Sequence, residues 1–373
     1  MPNRAKVRGV NFGNWLVLEK WMSPGLFAGT NGEDETDLCE MLPRDDLLAR
    51  LKQHRDTYIT QEDFTFLANC GINVIRVPVP YFIFDDYAPF VGCIEYLDKV
   101  FEWAQHAGVK ILIDLHTAPD SQNGFDNGGL CGVCKFHLKQ ENVDFAVGVL
   151  ERLAIRYKNH AALYGMQFLN EPISPEFFDR ISAMGRYPAR DAQRAKGSEG
   201  IPTTFLYDFY TRCYHTLRKH LDDDVVMMFH DGFRLNEWND FMRGPEYKNV
   251  VLDTHIYIGM MLAMFNQGEM PDTPEKLMRA HVDAAIKYIE DIKHVQQAFP
   301  VVIGEWSASY RPGSMGTTPT MEKAALTMLA NLQLYAWEQA DGWFFWSYKL
   351  HSPAAGWDFG NMVRNGYFPP NFR

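Results

Sequence analysis

Eight short apolar runs recur along the chain, each followed by a longer stretch, and that alternation leaves few folds open. The runs are Val7–Phe12, Asn73–Val79, Lys110–His116, Tyr164–Asn170, Val225–His230, Val250–Ile256, Val301–Trp306 and Gly342–Tyr348. Several are apolar on successive residues, as in Lys-Ile-Leu-Ile-Asp-Leu-His and Val-Val-Ile-Gly-Glu-Trp. Parallel strands buried on both faces read this way. Between them, 60–69, 95–106, 142–157, 203–220, 275–298 and 320–340 carry apolar residues at three- and four-residue spacing, the period of an amphipathic helix. Strands alternating with helices predict an α/β fold, a closed (β/α)8 TIM barrel.

The connections are unequal in length. Helix-to-strand links are tight, for example Cys70-Gly71-Ile72, His106-Ala107-Gly108 and Phe299-Pro300. Segments leaving a strand are long: 13–59, 117–140, 171–202, 257–274 and 307–319. In a barrel the segments after each strand build the active-site face, and the opposite face needs only turns. The long segments fall at regular intervals, so residues 1–373 are read as one catalytic barrel domain.

Charge and composition narrow the partners. The formal net charge is -11, from 36 basic and 47 acidic side chains. Phosphate binding needs clustered Lys and Arg, so neither a nucleic acid nor a membrane surface is expected. Neutral ligands such as sugars fit this balance. No run of about 18 apolar residues marks a membrane span. Met1–Arg8 is polar and basic, and 9–18 is too short and polar for a signal-peptide core. A cytoplasmic setting is therefore expected, or secretion if a leader has been removed. The six cysteines are too sparse for a disulfide scaffold. Cys131 and Cys134, with His137 nearby, suggest zinc only weakly, because no second pair follows at finger-like spacing. No metal or cofactor is expected.

Polar residues cluster at the ends of the runs: Arg76, His116, Asn170-Glu171, His255 with Tyr257, Glu305-Trp306, and Trp346. Each has a structural reading when taken alone. Barrel closure gathers them into one ring, too polar for a core and suited to a polyhydroxylated ligand. Retaining glycosidases need two carboxyl groups about 5–5.5 Å apart. One is protonated and donates to the leaving oxygen; the other is ionised and attacks the anomeric carbon. Glu171 is assigned as acid/base and Glu305 as nucleophile, with mutual repulsion keeping the acid protonated.

Asn170-Glu171-Pro172, Gly304-Glu305-Trp306 and His255-x-Tyr257 resemble the signature of glycoside hydrolase family 5, as do Arg76 in Val-Ile-Arg-Val-Pro and His116 in Asp-Leu-His. The opening 8–19 (RGVNFGNWLVLE) and the loop 118–127 (APDSQNGFDN) look like its exo-β-1,3-glucanase branch. The resemblance implies a pocket closed at one end that binds the terminal glucose of a β-glucan oligosaccharide or β-glucoside. It implies that Glu19 holds outer hydroxyls and that Asn170 bonds the 2-hydroxyl. His255 and Tyr257 would position Glu305, Arg76 would keep it ionised, His116 would contact the sugar, and Trp346 would lie under the ring. Phe125, Asp126 and Asn127 join the binding and supporting set. In the branch a second aromatic faces Phe125 from just beyond the His-x-Tyr pair. Here that stretch is Ile258-Gly259-Met260-Met261, with Phe265 the nearest aromatic, so the leaving-group site is expected to differ.

Other readings remain: a β-glucosidase or diglycosidase for another aglycone, or a transglycosylase. Further away stand a metal-dependent hydrolase using Asp114, His116, His230 and His255, and a non-catalytic sugar-binding barrel.

Overall fold

The computed structural model describes residues 5–265, 271, 273–310, 318–352 and 354–372. Eight parallel strands close in sequence order: β1 (Val7–Asn11), β2 (Val74–Val79), β3 (Lys110–Leu115), β4 (Leu163–Gln167), β5 (Val226–His230), β6 (Val250–His255), β7 (Val301–Trp306) and β8 (Gly342–Phe345). β1 pairs with both β2 and β8, which completes the barrel. All eight predicted runs contain a strand. The fourth is shorter than expected, stopping at Gln167, so Asn170 and Glu171 stand on the chain just past it.

The six predicted helices form, within a few residues of their expected ends, as Gln61–Asn69, Ile94–Ala107, Gln140–Tyr157, Thr203–Arg218, Pro274–Val295 and Pro319–Trp337. Two begin at a Thr-Pro step: Thr273 and Thr318 accept a hydrogen bond from the third backbone N–H, while the proline occupies the first turn, where no donor is needed. The alternation of strand and helix fails once. Between β5 and β6, residues 231–249 contain only the short 3-10 turn Leu235–Glu237. Its Asp, Asn and Gly residues favour turns over a continuous amphipathic face. The long segment after β1 carries two helices of its own, Glu35–Met41 and Arg44–Tyr58.

The strands' period of two explains where the site sits. Side chains entering the barrel stack in layers, and the lower layer is apolar: Val7, Val74, Leu112, Val226, Val251, Val302 and Phe344 pack together. Two residues further along the same faces come Arg76, Asp114 and Asp253, all fully buried, and another step along β3 and β6 adds His116 and His255. The lumen therefore changes from hydrocarbon to polar along its axis, toward the strands' C-terminal ends. Outside the barrel, a second apolar cluster fills the space between strands and helices.

Candidate active site

Arg76 is the hub of the polar layer. Its guanidinium donates to Glu305, Asn11 and Asn170 at 2.8 Å each, and its Nε donates to Gln167 at 2.8 Å. It also lies 3.0 Å from Asp114. An arginine without solvent exposure needs this many partners, because an unpaired buried charge is costly. Glu305 receives a second donor, the Tyr257 hydroxyl, at 2.7 Å. Burial pushes the Glu305 carboxyl up and the charge of Glu171 adds to that, while His255 and Arg76 oppose it; the net direction is above its ordinary value.

His255 stands between the two glutamates. Its Nδ1 lies 2.8 Å from Glu171 and 3.5 Å from Glu305, and its Nε2 lies 3.1 Å from Asp253. The nearest oxygens of Glu171 and Glu305 are no further apart than those two Nδ1 contacts end to end. That bound admits the about 5–5.5 Å separation of retaining enzymes. Burial disfavours a charge on His255, yet Glu305, Asp253 and Glu171 outweigh it and push its pKa well above the ordinary value. Burial alone would raise Glu171, but the hydrogen bond and charge of His255, together with the Asn127 amide at 2.9 Å, hold it below its ordinary value. The sequence reading had repulsion keep the proton on Glu171. In the free pocket the hydrogen bond and charge of His255 hold Glu171 below its ordinary value, and the repulsion between the carboxylates falls on Glu305.

The remaining predicted residues join the same site. His116 bonds Asp114 through Nδ1 at 2.6 Å and stacks on Trp346, ring centroids 5.6 Å apart and planes within 9°. Asn170 reaches toward His116 Nε2 at 3.4 Å. Glu19 is buried and accepts from Trp21 Nε1 at 2.7 Å. Burial and Asp126 push its pKa well up, and Asp126 itself is raised to about 6, burial being the main cause. Glu19, Phe125, Asp126, Asn127, Glu171, His255, Tyr257, Glu305 and Trp346 all line one cavity of about 470 Å³, within the range of small-molecule sites. Arg76, His116 and Asn170 adjoin that surface: Arg76 bonds Glu305, His116 stacks on Trp346, and Asn170 precedes Glu171. Glu171 has a φ of 43°, uncommon for a residue with a side chain and concentrated at functional sites.

Several functional residues escaped the sequence reading. Asp253 accepts from both His255 and Gln167, the latter at 2.6 Å, and so fixes the floor under His255. Gly304 leaves room for it: a Cβ there would meet the Asp253 carboxylate at 2.1 Å. Asn11 ties β1 to the Gly304 carbonyl at 2.9 Å. Asp253 and Asn11 were visible in principle as polar residues inside apolar runs. Trp21 and Trp357, edge to face at 5.2 Å, stand at the mouth and carried no comparable signal.

The pocket loop also contains a proton-sensitive support. Glu35 is buried, accepts from the Leu18 N–H at 3.2 Å, and is pushed up to about 7, mainly by burial and against Arg55. In the unfolded chain the carboxyl ionises near 4.5. Between those values only the folded state holds the extra proton, so this group's contribution to stability falls as pH rises from about 4.5 to about 7. Glu35→Gln is expected to remove that slope and raise stability at pH 8 by on the order of 2 kcal/mol. Thermal melts of both proteins at pH 5 and pH 8 check this; equal gains at the two pH values would contradict it.

Among the described residues, the donors best placed for a metal are Glu171, His230 and His255, with ligand atoms within 4.8 Å of one another. Among the described residues, the four-residue metal set considered from the sequence, Asp114, His116, His230 and His255, does not bring its ligand atoms together. His255 already faces carboxylates with both nitrogens, and the charge they favour on it opposes metal binding. All six cysteines are free and buried, so Cys131 and Cys134 form no disulfide.

Comparisons with known proteins agree with this geometry. The profile described as cellulase (glycosyl hydrolase family 5) matches residues 47–352. A probable glucan 1,3-beta-glucosidase A of Emericella nidulans is 33% identical, over 98% of this chain and 90% of its own length. A glucan 1,3-beta-glucosidase of Blumeria graminis is 31% identical, over 98% of this chain and 87% of its own. The crystal structure of a rutinosidase from Aspergillus niger superposes with a TM-score of 0.75 at 22% identity, covering 97% of each chain, a likeness of fold.

Proposed function

The chain belongs to glycosyl hydrolase family 5 and is a glycoside hydrolase, and from that premise we propose that it is a retaining, exo-acting β-glucosidase of the glucan 1,3-beta-glucosidase type. The observation that carries this reading is the pair of carboxylates gathered on one imidazole nitrogen, Glu171 at 2.8 Å and Glu305 at 3.5 Å from His255 Nδ1. Glu305, oriented by Arg76 and Tyr257, attacks the anomeric carbon and forms a glycosyl-enzyme. Glu171, hydrogen-bonded to His255 at 2.8 Å, delivers a proton to the leaving oxygen. Glycosylation removes the charge of Glu305. Glu171 then acts as base, draws a proton from water, and the water displaces glucose from Glu305.

Asn170, fixed by Arg76, bonds the 2-hydroxyl, while Glu19 and Asp126 take outer hydroxyls and Trp346 lies under the ring. The 31–33% identity to glucan 1,3-beta-glucosidases over nearly the whole chain supports glucose as the released sugar. Incubation with laminarin oligosaccharides, β-1,4-glucans and β-1,6-glucans in parallel tests the reading. Release of glucose alone, from the non-reducing end of the β-1,3 chains, is expected. Longer products would contradict exo action.

A further inference from the structure

The cavity does not end at the two carboxylates. Asn127 bonds Glu171, so the loop carrying Phe125 stands beside the group assigned to the leaving oxygen. The cavity wall continuing from Phe125 is mainly hydrocarbon and thioether. Phe125 lies near Phe233, at 6.4 Å between centroids, and Phe233 packs on Phe177 at 4.8 Å. Ile181 and Met184 follow from the helix Pro175–Ala183 and its C-cap. Met260, Met261 and Met264 face them from the helix Ile258–Phe265. The two helices are tied together, since Arg180 donates to the Met264 carbonyl at 2.9 Å. The stretch in which the sequence lacks the expected aromatic is thus occupied by methionines that line the cavity. The side chain of Phe265 lies outside the described residues.

A second glucose would be poorly served by this wall. Its hydroxyls need donors and acceptors, which a thioether barely supplies and a phenyl ring lacks. The polar side chains that line this region, Arg186, Tyr187, Ser309 and Tyr310, are fewer than the apolar ones. Methionines instead suit a ligand of variable apolar shape, because they are unbranched and polarisable. Met184 is 45% exposed, a large apolar side chain left open beside the cavity.

We propose that the leaving-group half of this cavity is a subsite for an apolar aglycone, so that β-glucosides of apolar alcohols bind in preference to glucose-terminated disaccharides. The inference rests on the glucosidase reading for its glycone half.

Isothermal titration with methyl, butyl and hexyl 1-thio-β-glucosides, which resist hydrolysis, reads the subsite directly. Each methylene moved from water onto an apolar wall is worth up to about fourfold in affinity. Kd is expected to fall at least about tenfold from methyl to hexyl, and the Met184→Gln/Met260→Gln double variant to flatten that series. Hydrolysis of 4-nitrophenyl β-glucoside is measured beside it. A flat wild-type series would overturn the apolar subsite, whether or not hydrolysis occurs and whether or not the variant folds. A chain-length dependence without hydrolysis would support the subsite and overturn the glucosidase reading.

Discussion

Glu305→Gln is expected to fold normally and to lose kcat by on the order of 10⁶-fold, the scale of removing a covalent nucleophile. The amide is nearly the same size, so Arg76 can still donate to its carbonyl oxygen, and the surrounding bonds to Asn11, Asn170 and Gln167 stay in place. The substitution removes the negative charge that attacks carbon. It also removes one of the anions that raise the pKa of His255, so that pKa should fall. Good and poor leaving groups should be lost alike, because no route to the glycosyl-enzyme remains. The near-ultraviolet circular dichroism and melting curve check folding; kcat on 4-nitrophenyl β-glucoside and laminaribiose checks the loss. Wild-type turnover by a folded Glu305→Gln protein would contradict the assignment.

Glu171→Gln is expected to behave differently, and the difference separates the two carboxylates. General acid catalysis is worth about 10²–10⁴-fold. Hydrolysis of laminaribiose, whose sugar leaving group needs a proton, should fall by that amount or more. Formation of the glycosyl-enzyme from 4-nitrophenyl β-glucoside should suffer far less, because nitrophenolate departs unaided. The intermediate then persists, since no base remains to activate water. Azide needs no base, so it should restore turnover and give β-glucosyl azide. Neither restoration nor a leaving-group difference is expected for Glu305→Gln. Equal losses on both substrates and no azide effect in Glu171→Gln would contradict its role as acid/base.

The barrel was legible in the sequence because its two periodicities are physical requirements. Strands buried on both faces must be continuously apolar, and helices covering them must be amphipathic. That is why Val301–Trp306 and Ile94–Ala107 were found close to their true bounds. The missing helix between β5 and β6 shows the limit, since barrel closure needs the strand pairing and a turn-rich crossover satisfies it too. The residues lining the cavity were legible for a related reason: a charged group at the end of an apolar run has few structural excuses.

The residues behind them were less visible. Asp253 and Gln167 act only through His255 and Arg76, and contacts between strands leave no trace in local spacing. The directions of the pKa shifts at Glu171 and His255 were not legible at all. The rise of His255 and the fall of Glu171 depend on three carboxylates, from β6, β7 and the segment after β4, converging on one ring. The sequence also showed methionines where an aromatic was expected. Only the structure shows that they continue a wall begun by Phe125, Phe233 and Phe177.

The central claim is that glucose is carried transiently on Glu305, and trapping that species tests it most directly. With 2-deoxy-2-fluoro-β-D-glucosyl fluoride, the 2-fluorine slows both steps by destabilising the oxocarbenium-like transition state, while fluoride departure restores the first. Intact-protein and peptide mass spectrometry should then find one 2-fluoroglucosyl group per chain, on the peptide containing Glu305, with activity lost in step and recovered slowly after the reagent is removed. An adduct on any other residue, or full hydrolysis of the reagent to the α-anomer with no adduct, would contradict the account.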